Sequence, residues 1–255
     1  MVRYQTVASL SNFPSETWVS DVIPLLNDPV RAVRTSAANS LSGVPQNAFV
    51  QSNMTAFAST HKELMDFLHH LSDFATGNIM LGDYYFKTGD NANAKKYYLR
   101  LLKVDSMANY ARLNLSSVYN AEGQNEKALV ILHEALKIDP QNPRINYNLA
   151  LLHVDLGEKE QGLNYFEQVH KLKYDYDRFY YNYAIFLQQL GKSQQAETIF
   201  KEGIKSFPNS EQLNYGAAYF LLQTNRMKQA IAYIRKLKEL NPENQNYREL
   251  FELLR

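Results

Sequence analysis

Gly89, Gly123, Gly157 and Gly191 stand 34 residues apart, and the next position of the series is Asn225. Glycine and asparagine are the residues that tolerate positive φ at a helix end followed by a tight turn. A fixed interval of this size between them means one small unit folded several times over, which constrains the fold more than any other feature. Five residues after each stands a small residue: Ala94, Ala128, Gly162, Ala196 and Ala230. Small side chains are needed where a second helix crosses close to a first. Twelve residues further come Ser106, Pro140, Tyr174, Pro208 and Pro242. Proline cannot continue a helix, so it closes the second one.

The apolar residues keep the same frame. Leu81, Leu115, Leu149, Tyr183 and Ala217 are each followed by a small residue, namely Gly82, Ser116, Ala150, Ala184 and Ala218. Tyr98, Leu132, Phe166, Phe200 and Ile234 supply the matching knob from the second helix. The frame gives five units without insertion: 75–108, 109–142, 143–176, 177–210 and 211–244. This pattern resembles the tetratricopeptide repeat family, and the stretch Asn109 to Asn142 is a near-consensus unit. The unit 143–176 departs most, with Gly162 for the usual alanine and Tyr174 for the usual proline. A helix pair cannot bury its apolar face alone, so the units must stack. The expected fold is therefore all-α, a right-handed α-solenoid of helix-turn-helix units.

Both ends of the array need covering. At residues 245–255, Tyr247, Leu250, Phe251 and Leu254 make one helical stripe, with Glu249, Glu252 and Arg255 opposite: a C-terminal capping helix. Residues 1–46 read as HEAT-like helices. Trp18, Val22, Ile23 and Leu26 form a stripe from Trp18 to Asn27, followed by Asp28-Pro29 and a helix with Ala37, Ala38 and Leu41. Residues 2–11 look like the second helix of a preceding, truncated unit. Residues 47–74 are assigned to a connecting helix packing through Phe57, Leu64, Phe67, Leu68 and Leu71. HEAT-like helices leading directly into such repeats resemble the C-terminal region of bacterial multihaem cytochrome c-type proteins. That resemblance implies a docking arm of a longer, exported protein, periplasmic rather than cytoplasmic, with the haem domain upstream.

Composition removes several classes of chemistry. The chain has no cysteine, so disulfides, thiolate metal sites, cysteine nucleophiles and covalently attached haem are excluded from it. A formal charge of +1 in 255 residues gives no argument for nucleic acid. No run of 18 apolar residues exists for membrane insertion. The glycines are spaced as turns, not clustered as a phosphate loop, and Gly-x-Ser-x-Gly is absent, so neither an enzyme nor a cofactor is expected. His61, His69 and His70, with Asp66 and Asp73 nearby, are the one group with metal-site composition. His69 and His70 point about 100° apart on a helix, so surface histidines are expected there rather than a metal. His153 occupies a packing position of the repeat.

What remains is a binding surface. By resemblance, the first helix of each unit lines the concave side. The candidate partner-binding residues are Tyr110, Asn114 and Ser117; Arg144, Tyr147, Asn148 and Leu151; Arg178, Tyr181, Asn182 and Ile185; and Tyr215 and Tyr219. Asn114, Asn148 and Asn182 form a column of amides able to pair with the backbone of an extended peptide or to brace neighbouring helices. The tyrosines add contact area at low entropic cost. Arg144 and Arg178, one period apart, suit partner carboxylates. Ile79 and Asp83 stand where the chaperone-tail carboxylate clamp of that family has lysine and asparagine, which argues against that function. The expected partner is a protein or peptide. A homodimer, or docking onto an upstream domain, is the alternative.

Overall fold

The computed structural model of the protein describes residues 6–7, 9–10, 17–45 and 49–252. The chain divides into two compact units, Met1–Pro140 and Gln141–Arg255. The first contains α1 (Val19–Val22), a 3-10 turn (Ile23–Asn27), α2 (Arg31–Leu41), α3 (Gln51–His70), α4 (Ala75–Lys87), α5 (Asn91–Val104), α6 (Asn109–Ala121) and α7 (Asn125–Ile138). The second contains α8 (Pro143–Asp155), α9 (Lys159–Lys171), α10 (Asp177–Gln189), α11 (Ser193–Ser206), α12 (Glu211–Gln223), α13 (Met227–Leu240) and α14 (Gln245–Glu252). No strand occurs among the described residues.

Every first helix of a pair ends in the same way. Gly89, Gly123, Gly157 and Gly191 have φ between +70° and +81°, and Asn225 has φ +56°. The amide after each donates back across the turn: Asp90 to Tyr85, Gln124 to Tyr119, Glu158 to His153, Lys192 to Leu187 and Arg226 to Leu221, all at 2.8–2.9 Å. This is the Schellman closure, in which a left-handed residue lets two terminal carbonyls find donors. The ends of the second helices vary with the sequence. Prolines follow α7, α11 and α13 within two residues of the helix end. After α5, where Ser106 replaces proline, Asp105 Oδ1 accepts the Met107 amide at 2.9 Å and turns the chain instead. After α9, where Tyr174 replaces it, the turn uses Lys173 at φ +53°, and α9 is one residue shorter than its counterparts. A side chain in the left-handed region costs about 1–2 kcal/mol.

The core of the second unit is aromatic. Phe166 is 1% exposed and its ring stacks on Tyr183 at 5.2 Å, with Phe179, Phe186 and Tyr147 around it. Gly162 is explained by crowding, since a Cβ there would lie 2.8 Å from Val154 Cγ2. In the first unit Trp18, Val22, Leu26, Ala37, Ala38, Leu41, Leu64 and Leu68 share a core with Leu81 and Tyr97. Polar clips tie α2 and the 3-10 turn before it to α3 and α4. Arg34 pairs with Glu63 of α3 at 2.9 Å, Thr60 donates to the Leu26 carbonyl at 3.0 Å, and Lys87 of α4 donates to the Asn39 and Ser40 carbonyls at the end of α2. Burial pushes the Lys87 ammonium down to about 8.

Amides recur at the fourth position of first helices in both units. Asn78, Asn146 and Asn214 are buried, and each donates to the carbonyl four residues back, Phe74, Asn142 and Ser210, at 2.8 Å. Arg112 takes that position in α6 and is also largely buried, with Glu134 3.6 Å away. The expected helix at residues 2–11 lies largely outside the described residues, as do Leu254 and Arg255 of the C-terminal stripe. The connecting helix begins at Gln51 rather than residue 47 and ends at His70.

Candidate partner-binding face

In the first unit the candidate residues lie on α6. Tyr110 is exposed, Asn114 and Ser117 are half-buried, and Ser117 Oγ is turned back onto the Leu113 carbonyl at 3.1 Å. Asn114 Nδ2 donates to Asp83 Oδ1 at 2.8 Å, so this amide braces α6 against α4. Tyr110 has its hydroxyl pushed above the usual phenol range by desolvation and then by the charges of Asp83 and Asp105.

In the second unit Arg144, Asn148 and Leu151 lie on α8, Arg178, Tyr181, Asn182 and Ile185 on α10, and Tyr215 and Tyr219 on α12. Leu151 and Ile185 are half-buried against the core and present only part of their side chains. Arg144 and Arg178 are exposed, and neither forms an ion pair among the described residues. Asn148 is half-buried and makes no hydrogen bond among them. Tyr181 comes close to α12 at Gly216, where a Cβ would sit 2.9 Å from Tyr181 Cε2. Tyr215 and Tyr219 are 39% and 50% exposed and stack at 6.2 Å with 10° between planes. Behind them Tyr247 of α14 approaches Tyr215 at 6.3 Å and donates to Glu211 at 3.1 Å.

Tyr147 corrects the sequence expectation. It is 4% exposed and belongs to the core, not to an open face. Its ring is enclosed by Tyr174 and Tyr176 at 6.0 Å each and by Phe179 at 6.0 Å. The cause is local: the turn without proline carries two aromatic rings that fold over this position. Only its hydroxyl retains polar company, accepting from Asn182 Nδ2 at 2.7 Å, and burial raises it well above the phenol range. The amide column is thereby divided. Asn114 and Asn182 brace the fold, and Asn148 has its hydrogen-bonding groups unspent.

The histidines of α3 do not converge. The His61 ring stacks on Phe57 at 5.5 Å and meets the Tyr84 hydroxyl, and burial lowers it. His69 faces Tyr97 at 6.3 Å, while His70 Nδ1 meets the Asp66 carbonyl at 2.6 Å. Among the described residues no three His, Asp or Glu side chains are placed to hold one metal ion. His153 is buried, stacks on Tyr165 at 5.3 Å and binds Glu158 at 2.5 Å, a structural role as its place in the repeat implied.

Family comparisons match the description "Tetratricopeptide repeat" at residues 75–106, 143–176 and 189–252, and "TPR repeat" at 116–157. These are tetratricopeptide repeats. The matches lie within residues 75–252, so they do not bear on the HEAT-like assignment of the first 46 residues or on the multihaem resemblance. No curated protein sequence matches the chain. Among solved structures, PilF of Pseudomonas aeruginosa is similar at 20% identity and TM-score 0.62, over 71% of this chain and 82% of that one. MamA is similar at 20% identity and TM-score 0.55, over 68% of this chain and 94% of MamA. YrrB, described as a TPR protein with an unusual peptide-binding site, is similar at 17% identity and TM-score 0.52, over 74% and 97%. At these identities the likeness is one of fold: an all-α tetratricopeptide array of the α-solenoid class. No helix among the described residues is long and apolar enough to cross a membrane.

Proposed function

We propose that the chain is a non-catalytic scaffold that holds an extended segment of a partner protein against the first helices of its tetratricopeptide units. The repeats themselves support a protein-interaction role, because stacked helix pairs offer a long surface and no enclosed chemistry. The observation that carries the finer proposal is on α12. Its apolar residues Leu213, Ala217, Ala218, Phe220 and Leu221 are buried, yet Tyr215 and Tyr219 stand stacked in solvent. Two adjacent exposed tyrosines, unpaired arginines on α8 and α10, and the unspent amide of Asn148 together offer aromatic contact, charge and backbone pairing. Residues 1–46 are proposed as HEAT-like helices closing the N-terminal end.

The test is a selection of random 12-residue peptides displayed on phage against the full chain, followed by calorimetric titration. Changing Tyr215, Tyr219 and Asn148 together to Ala is expected to weaken the selected peptides by about 30-fold or more, since each tyrosine anchor buried on binding carries about 1 kcal/mol or more. Far-UV ellipticity should be unchanged. Selected peptides that bind this variant as tightly as the parent would remove α12 from the site.

A further inference from the structure

We infer that the first unit carries a site for a basic side chain, lysine or arginine, of a partner polypeptide, centred on Asp83. This rests on the proposed holding of an extended segment and names the chemistry that one part of it must have. Two departures from the repeat coincide here. The ninth position of the first helix is Asp83, where later units have Ser117, Leu151, Ile185 and Tyr219. The knob of the second helix is Tyr98, where later units have Leu132, Phe166, Phe200 and Ile234, none with a hydroxyl. The structure joins the two, with Tyr98 Oη donating to Asp83 Oδ1 at 2.6 Å.

The carboxylate is built into place. Tyr98 is 0% exposed and reaches Asp83 by passing over Gly82, where a Cβ would lie 2.5 Å from the ring. Its hydroxyl is pushed far above the phenol range by burial, then by Asp83, so it remains a donor. Asn114 Nδ2 brings a second bond to the same oxygen at 2.8 Å. Both donors engage Oδ1, and Oδ2 makes no hydrogen bond among the described residues. Asp83 itself is exposed, and among the described residues no Lys, Arg or His lies within ion-pair distance of it. Lys95 is spent on Glu122 and Lys87 on the carbonyls ending α2. A fixed carboxylate oxygen with no cation paired to it among the described residues suits a cationic group, by a charge-assisted hydrogen bond. Asp83 also braces α4 to α5 and α6, and that role needs only an acceptor oxygen. The charge strengthens those bonds but is not needed to form them.

Asp83→Asn separates the two roles, because the asparagine carbonyl can accept both internal bonds while the charge is gone. Peptides selected on the full parent chain should carry Lys or Arg at one fixed position. Asp83→Asn should weaken them about tenfold, as expected for loss of a hydrogen bond to a charged group. Alanine at the basic position of the peptide should cost the same, and the two changes together should cost no more than either. The thermal midpoint of Asp83→Asn should fall by only a few degrees, because the two internal bonds lose charge assistance but keep their acceptor. Selected peptides without a basic preference, or a basic preference unchanged in Asp83→Asn, would overturn the site while leaving the α12 face standing. Failure to select any peptide would overturn both.

Discussion

Replacing Phe166 with Ala tests the packing of the second unit at its centre. The ring is 1% exposed, and its neighbours Tyr147, Phe179, Tyr183 and Phe186 have centroids 5.2–6.3 Å away. Truncating a fully buried phenylalanine costs about 3–5 kcal/mol, through lost transfer energy and the cavity left behind. Four ring neighbours that cannot collapse into the gap place this case at the upper end. With a urea slope of about 1–3 kcal/mol per M for a unit of this size, the midpoint should fall by about 2 M. The chain has one tryptophan, Trp18, buried in the core of the first unit. Its fluorescence therefore reports that unit, while ellipticity at 222 nm sums both. In a repeat array, stability is close to a sum of local terms. Ellipticity should show an early step in the variant, and the fluorescence transition should move far less. An ellipticity midpoint within about 0.5 M of the parent would refute the packing argument. Equal shifts in both signals would refute its local character.

Two further outcomes follow from the backbone and from the phenols. Lys173→Gly should raise the unfolding free energy by roughly 0.5–1 kcal/mol in urea titration, because φ +53° costs a side chain more than glycine loses in entropy; a loss of stability would show that the lysine makes a compensating contact. Stability should decline as pH rises above 10. Burial pushes Tyr183 and Tyr247 up to about 12, and Tyr98 and Tyr147 higher still, so between pH 10 and 12 the folded chain keeps protons that the unfolded chain gives up. Thermal midpoints measured at pH 9, 10 and 11 would check this, and a flat profile would contradict it.

The turns were legible in the sequence because their chemistry is local. Only glycine or asparagine closes a helix at positive φ without cost, so Gly89 and Asn225 declare their conformation without reference to the rest of the chain. The exposure of a first-helix tyrosine was legible where its ring stays clear of the core, as at Tyr215 and Tyr219. Tyr147 was not, because its environment depends on the turn at Tyr174 and Tyr176, where proline is the pattern. Asn114 and Asn182 look identical to Asn148 along the chain, and their partners Asp83 and Tyr147 come from the preceding unit. Asn78, Asn146 and Asn214 repeat at multiples of the period, but the column is interrupted by Arg112 and Tyr180, and buried amides do not stand out among polar residues.

The turn that encloses Tyr147 sets a rule for anyone recombining this protein's parts. Tyr174 and Tyr176 cover a ring from their own segment, and Asn182 of the following helix leans on that ring's hydroxyl. A cut at the formal boundary near residue 176 would strand the amide from its phenol. Shuffled or shortened versions should therefore move residues 143 to 182 as one piece, even though the thirty-four-residue cadence invites a break in the middle.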